Sequence, residues 1–294
     1  MTAKKIVLLL VVCVLVGEVY SALISQAALG SPSVLRVPQN YPTIQVAVYA
    51  ASSGDTILVD EGTYHEFVTV DRSVSLVGKG KAATIIEGNI TILEQSLVSV
   101  TGFTVRGGRP NGITVFDSTN ITIIDNIIVG YNVGILLSGV NQSTIGANVI
   151  ASNNLTGIAM GDSYGNLVFG NSLSLNEVQN IGLVWSSNNT VIGNRMNMSL
   201  TGLILNGNSV YNTVVGNFVS NNTKGVYLEA DSQGMSPNYN TFYHNSFINN
   251  TSQVVNKTST VNVWDNGHPS AGNHWSDYTG VDNNGDGVGD TPYI

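Results

Sequence analysis

Apolar residues recur along most of the chain in short alternating runs broken by Asn and Gly. Aligned on one asparagine, the runs repeat at Asn126, Asn148, Asn171, Asn194, Asn217 and Asn245, with spacings of 22, 23, 23, 23 and 28 residues. Three positions before each stand Ile123, Ile145, Val168, Val191, Val214 and Phe242. Two positions after stand Ile128, Ile150, Leu173, Met196, Val219 and Phe247. Five residues after the first asparagine comes a second polar column, Asn153, Asn176, Asn222 and Asn250, with Tyr131 and Ser199 in the remaining places. A glycine follows at 134, 157, 182, 202 and 225, leading into Ile135, Ile158, Leu183, Leu203 and Val226 and then, two further on, Leu137, Met160, Trp185, Leu205 and Leu228.

Period-2 runs of this length, punctuated by turn residues, predict three short strands per repeat. One repeat is then one turn of a solenoid, each strand pairing with its counterpart about 4.8 Å away in the next turn. Asn carries both amide donors and a carbonyl acceptor, so stacked asparagines can satisfy one another from rung to rung. The expected fold is all-β, a right-handed parallel β-helix of about ten coils. Residues 42–51 predict a short helix, with Ile44, Ala47, Val48 and Ala51 at helical spacing, to cap the N-terminal end. Repeats with their cap are expected over 29–262, and an Asp/Asn/Gly-rich tail over 263–294.

Composition narrows the class. Gly (32) and Asn (35) make nearly a quarter of the 294 residues, which disfavours long helices. Charged residues are 10% against 43% hydrophobic, the reverse of a disordered chain. Nothing basic clusters after Lys5, which argues against nucleic acid. Lys4 and Lys5 precede an apolar run from Ile6 to Val16 and then small residues, the layout of a signal peptide over 1–28. The run falls short of the roughly 20 residues of a membrane span. Its removal leaves 9 basic and 18 acidic residues, a charge of −9, and removes Cys13, the single cysteine. The expected location is secreted, extracellular or at the cell surface (periplasmic in a Gram-negative host). Asn-x-Ser/Thr sequons such as Asn120, Asn188 and Asn221 make a glycoprotein a further expectation.

Residues 37–45 (VPQNYPTIQ), 54–57 (GDTI), Gly62, Thr63, Tyr64 and Glu66, with Gly78 and Gly80, resemble the opening of pectin-lyase-like proteins. The Asn–Gly repeats resemble those of NosD-type periplasmic copper-binding proteins, and residues 272–278 (GNHWSDY) are similar to a tail often attached to such repeats. The resemblance implies a β-helix and leaves function open, because this solenoid hosts many activities.

Three functional readings follow. The pectin-lyase-like resemblance implies lyase, hydrolase, esterase or epimerase chemistry on acidic sugars. Hydrolysis needs two carboxylates roughly 5–10 Å apart, yet Asp117 and Asp162 share a column with Gly139 between them, and His244 and Asp125 stand five turns apart. Arg106 and Arg109 could serve a lyase, but no acidic cluster accompanies them. The paired-aspartate, Gly-His-Gly, aspartate-phenylalanine and Arg-Pro-Trp motifs expected of polygalacturonases and pectinesterases are missing. The NosD-type resemblance implies copper, whose soft sites take Cys, Met and His. Met160 and Met196 fall in core columns, leaving Met198, His268 and His274, not a recognisable set, so copper is not expected.

The third reading is a non-catalytic binding protein. Two residues before each ladder asparagine stand Ile124, Gly146, Phe169, Ile192, Val215 and Tyr243, a column that alternation points outwards. Phe169, Ile192, Val215 and Tyr243 are the candidate ligand-binding residues, forming an exposed apolar stripe for a polysaccharide, a surface glycan or a protein. The tail adds a metal expectation. Asp282, Asn284, Asp286, Val288 and Asp290 match positions 1, 3, 5, 7 and 9 of an EF-hand-like loop, with Gly287 at position 6 and Val288 acting through its carbonyl. Tyr293 replaces the bidentate Glu of position 12, and Asp277 is the candidate substitute. The expected ion is a structural Ca²⁺, holding the tail over the last turn with Trp264 and Trp275 packed beneath.

Overall fold

The computed structural model describes residues 32–107, 110–267, 272–283, 285 and 289–293. The signal-peptide segment, Arg109, His268, Asn284, Asp286 and Val288 lie outside them. From Val34 onward the chain winds into a right-handed parallel β-helix with three sheets of ten, ten and nine strands. Sheet 1 runs from Val34–Val37 to Thr241–Tyr243, sheet 2 from Gly62–Tyr64 to His274–Trp275, and sheet 3 from Phe67–Val70 to Ser252–Asn256. Complete turns are slightly fewer than the ten expected, because Val34–Val37 and His274–Trp275 each supply one sheet of a rung.

Alternation sends one residue in two into the bore. Ile123, Ile145, Val168, Val191, Val214 and Phe242 are fully buried in sheet 1, as are Ile128, Ile150, Leu173 and Met196 in sheet 2. The asparagines stand at the corners. From Asn148 through Asn171, Asn194 and Asn217 to Asn245, each Oδ1 accepts the backbone N–H and the Nδ2–H of the asparagine one rung before, at 2.9–3.2 Å, while Asn126 Oδ1 starts the column by accepting Phe103 N–H at 3.0 Å. Each amide also donates to a backbone carbonyl of the rung before, as Asn171 Nδ2 does to Ile145 O at 2.9 Å. The residue preceding each is left-handed, φ 52–63° in rungs such as those of Ala147, Gly170, Gly193 and Gly216, which explains the recurring glycine there.

A second ladder, not visible in the first alignment, joins Asn166, Asn189, Asn212, Asn240 and Asn262 with the same two bonds per step. The third, through Asn153, Asn176, Asn222 and Asn250, breaks at Ser199. Asn180 bridges the break: Asn176 Nδ2 donates to its Oδ1 at 2.9 Å, and its own Nδ2 reaches Asn222 Oδ1 at 3.4 Å. This corrects the register of one rung. Asn180, not Gly182, pairs in the glycine column, because Ile158 faces Ile181 and Met160 faces Leu183. Trp185 is therefore no core residue; it is 37% exposed in a left-handed turn with φ 53°.

Helix α1 (Ile44–Ala50) closes the N-terminal end as expected, burying Ile44, Ala47 and Val48. Thr43 Oγ1 accepts from Val46 N–H at its start, and Glu66 accepts from Ile44 and Gln45 N–H at 3.0 Å each. Gln45 pairs with the backbone of Thr69 on the open edge of sheet 3, through two bonds of 3.1 and 2.7 Å. At the other end the tail first extends the solenoid. Asn273 caps the main ladder by accepting from Asn245 N–H and Nδ2–H, and His274–Trp275 pairs with Ser246 and Phe247. Trp264 stacks on Phe242 at 4.2 Å and Trp275 on Phe247 at 4.6 Å, with Tyr293 stacked on Trp275 at 4.3 Å.

Candidate functional site

The outer face of sheet 1 carries two parallel columns. Register places Ile124, Gly146, Phe169, Ile192, Val215 and Tyr243 side by side on successive rungs. Phe169 is 36% and Ile192 38% exposed, while Ile124, Val215 and Tyr243 are half-buried. The stripe is flatter than five separate protrusions, because the Phe169 ring lies in the space that a side chain at Gly146 would fill.

The second column is one that the alternation of apolar residues hid. Thr122, Thr144, Thr190, Thr213 and Thr241 lie one above another, with only Leu167 interrupting, and the line continues upwards through Ser99, Ser75 and Thr56. These hydroxyls therefore repeat every 4.8 Å or so along the axis. From Thr56 to Tyr243 neither column contains a charged residue. Beside the hydroxyl column, Tyr211 and Tyr239 occupy the left-handed turn two residues before Thr213 and Thr241. Their rings stack at 5.3 Å and 10°, and they are 57% and 53% exposed.

The other candidates are dispersed. Asp117, Gly139 and Asp162 share one left-handed turn position on successive rungs (φ 44°, 66° and 48°), so the two carboxylates are separated by a full rung. Asp125 and His244 likewise share a turn column across five rungs. Arg106 is held by Glu87 Oε1, with Nη2 at 2.7 Å and Nε at 3.1 Å, and His65 Nδ1 lies 3.1 Å from Glu87 Oε2. Met160 and Met196 are buried in the core. Met198 follows Arg195–Asn197, three rungs from His274, a separation of roughly 14 Å that prevents the pair from sharing one ion.

Among the described residues no group of three or more His, Cys, Asp or Glu is placed to hold a metal ion, and Asn284, Asp286 and Val288 of the tail lie outside them. Asp290 N–H donates to Val281 O at 2.8 Å. Asp282 Oδ1 accepts from Gly285 N–H at 2.7 Å, and Asp290 Oδ2 from Asn283 N–H and Nδ2–H at 2.7 and 2.8 Å. Tyr293 donates its hydroxyl to Asp277 Oδ2 at 3.1 Å. Burial first, then Asp277, pushes the Tyr293 hydroxyl up to about 12.

Residues 48–280 match the family model described as periplasmic copper-binding protein (NosD). Among solved structures, an alginate lyase from Paenibacillus sp. strain FPU-7 is similar at 13% identity, covering 83% of this chain and 97% of that one with a TM-score of 0.67. The periplasmic alginate epimerase AlgG follows at 19% identity, 76% and 60% coverage and a TM-score of 0.57. Pectate lyase Pel9A is similar at 14% identity, 84% and 83% coverage and a TM-score of 0.53. At these identities the likeness is one of fold. No curated protein sequence matches the chain.

Proposed function

The chain belongs to the NosD family of periplasmic copper-binding proteins, and we propose that it is an exported β-helix that binds a polysaccharide along sheet 1 without cleaving it. One observation carries this reading: apolar and hydroxyl columns run side by side over the outer face of sheet 1. A sugar polymer has the same dual character, apolar C–H faces and hydroxyl edges, and a solenoid offers it an extended platform. Asp117 and Asp162 stand two rungs apart, roughly 10 Å, at the outer limit of the spacing that hydrolysis uses. Export is supported by the signal-peptide layout and the family's periplasmic description; among the described residues no helix is long and apolar enough to cross a membrane.

Affinity electrophoresis through gels containing polysaccharide tests the reading. Retarded migration is expected, and Phe169→Ser with Tyr243→Ser should abolish it with the melting temperature kept. Unchanged retardation in the folded double variant would contradict it.

The tail is proposed to bind a structural Ca²⁺ through Asp282, Asn284, Asp286, the Val288 carbonyl and Asp290, all hard oxygen donors. With no bidentate Glu, a Kd on the order of 10⁻⁴–10⁻³ M is expected, as in extracellular modules. Calorimetry with millimolar Ca²⁺ should show heat that Asp282→Ala plus Asp286→Ala removes. Absence of heat and of any tryptophan fluorescence change would exclude the site.

A further inference from the structure

We propose that the ligand is a neutral polysaccharide, and that Tyr211 and Tyr239 form the platform on which its sugar rings stack. This rests on the polysaccharide-binding reading of sheet 1 and adds to it a substrate class and a second row of contacts.

The tyrosines sit where bulky side chains are costly. Their φ values are 58° and 56°, a left-handed conformation that suits Gly and Asn and strains larger residues. Other rungs fill the same turn position with Asn120, Gln142, Gly165 and Asn188; Leu97 is the other bulky occupant, without a stacked neighbour. Burial does not offset the strain, since more than half of each tyrosine faces water. The stacked rings cover one face of each other and leave their far faces and edges to water, where a ring-shaped ligand can pack through its apolar face. Thr213 and Thr241 stand two residues further along the same rungs, roughly 7 Å away along the chain, with Val215 and Tyr243 beyond them. The rings, the hydroxyls and the apolar column thus follow one another across one end of the face.

Charge selects the polymer. No cation stands in either column from Thr56 to Tyr243. Lys81 and Arg106 are paired with Asp125 and Glu87, and Arg195 and Lys224 lie over Phe218 and Tyr227 on sheets 2 and 3. A polyuronate would bring one carboxylate per sugar to a stretch whose columns hold no cation, the exposed Arg36 lying beyond it on the first rung of sheet 1, on a protein of net charge −8. A neutral chain meets no such penalty.

The test compares neutral oligosaccharides (xylan, mannan, β-1,3- and β-1,4-glucan fragments) with alginate and polygalacturonate in calorimetry on the intact protein. Binding of at least one neutral chain and of neither acidic chain is expected. Tyr211→Gly with Tyr239→Gly should weaken it at least tenfold without lowering the melting temperature, because Gly165 already occupies this turn. Tyr211→Phe with Tyr239→Phe should retain it. A merely structural pair would lose stability in the glycine variant and leave affinity alone. Binding of acidic chains alone would overturn the inference, as would neutral binding that ignores the tyrosine pair while Phe169→Ser with Tyr243→Ser abolishes it; in both cases the polysaccharide reading survives. Retention of no glycan would overturn both.

Discussion

The first rungs and the later ones are stitched together by different chemistry. Every ion pair among the described residues lies between Asp60 and Asp125: Lys79 with Asp60, Lys81 with Asp125, Arg106 and His65 with Glu87, and Arg72 with Asp71. These pairs are partly or largely exposed, and exposed pairs each contribute about 0–1 kcal/mol. From Asn126 onward three columns of asparagine take over, almost all fully buried and each making several bonds to protein. A buried amide left without its partner costs about 1–3 kcal/mol. The difference teaches that the asparagine rungs are the part of the solenoid more demanding of residue type, and the proposed binding face is built largely on them.

The comparison breaks most visibly at a mid-ladder position. Asn171→Ala removes the acceptor for Asn148 N–H and Nδ2–H and the donor to Ile145 O, so a loss of about 3–5 kcal/mol is expected in urea unfolding. A loss under about 1 kcal/mol would mean that the ladder is decorative. The bridged rung sharpens the point. Asn180→Gly should cost about 1–3 kcal/mol by leaving one Asn176 Nδ2–H without its acceptor while the other keeps Ile150 O, and adding Ser199→Asn should recover most of it by restoring the regular column.

At the C-terminal end the Tyr293 hydroxyl links the tail to Asp277. Its pKa is raised in the folded state, so its contribution is complete below about pH 10 and lost as pH rises towards about 12. Tryptophan fluorescence should change over that interval as Tyr293 leaves Trp275, and Tyr293→Phe should remove this component of the transition. The smallest effect belongs to the N-terminal rungs. Glu87→Gln, which weakens two exposed pairs, should cost less than about 1 kcal/mol, and 1 M salt should erase most of that difference.

Most of the fold is legible in the chain because inward positions and ladder corners are strict in residue type. The helix cap follows from Ile44, Ala47 and Val48 at helical spacing. The register of 179–184 is not legible, because Ile181 with Leu183 and Leu183 with Trp185 satisfy the same alternation; only cross-rung pairing separates them. The ladder through Asn166 is hidden by Ser143 and Ile121, which fill its first places. Of the candidate site, the apolar stripe is readable from parity alone. The threonine column escapes notice because hydroxyls are unremarkable in a strand, and the tyrosine pair because a 28-residue spacing separates neighbours in space.

The central claim, that a polysaccharide lies along sheet 1, is tested most directly by hydroxyl-radical footprinting with and without a bound glycan. The account predicts protection of Phe169, Tyr211, Tyr239 and Tyr243, with Phe218 on sheet 2 and Tyr227 on sheet 3 unchanged. Protection of Phe218 or Tyr227, with the sheet 1 residues reacting as in the free protein, would contradict it.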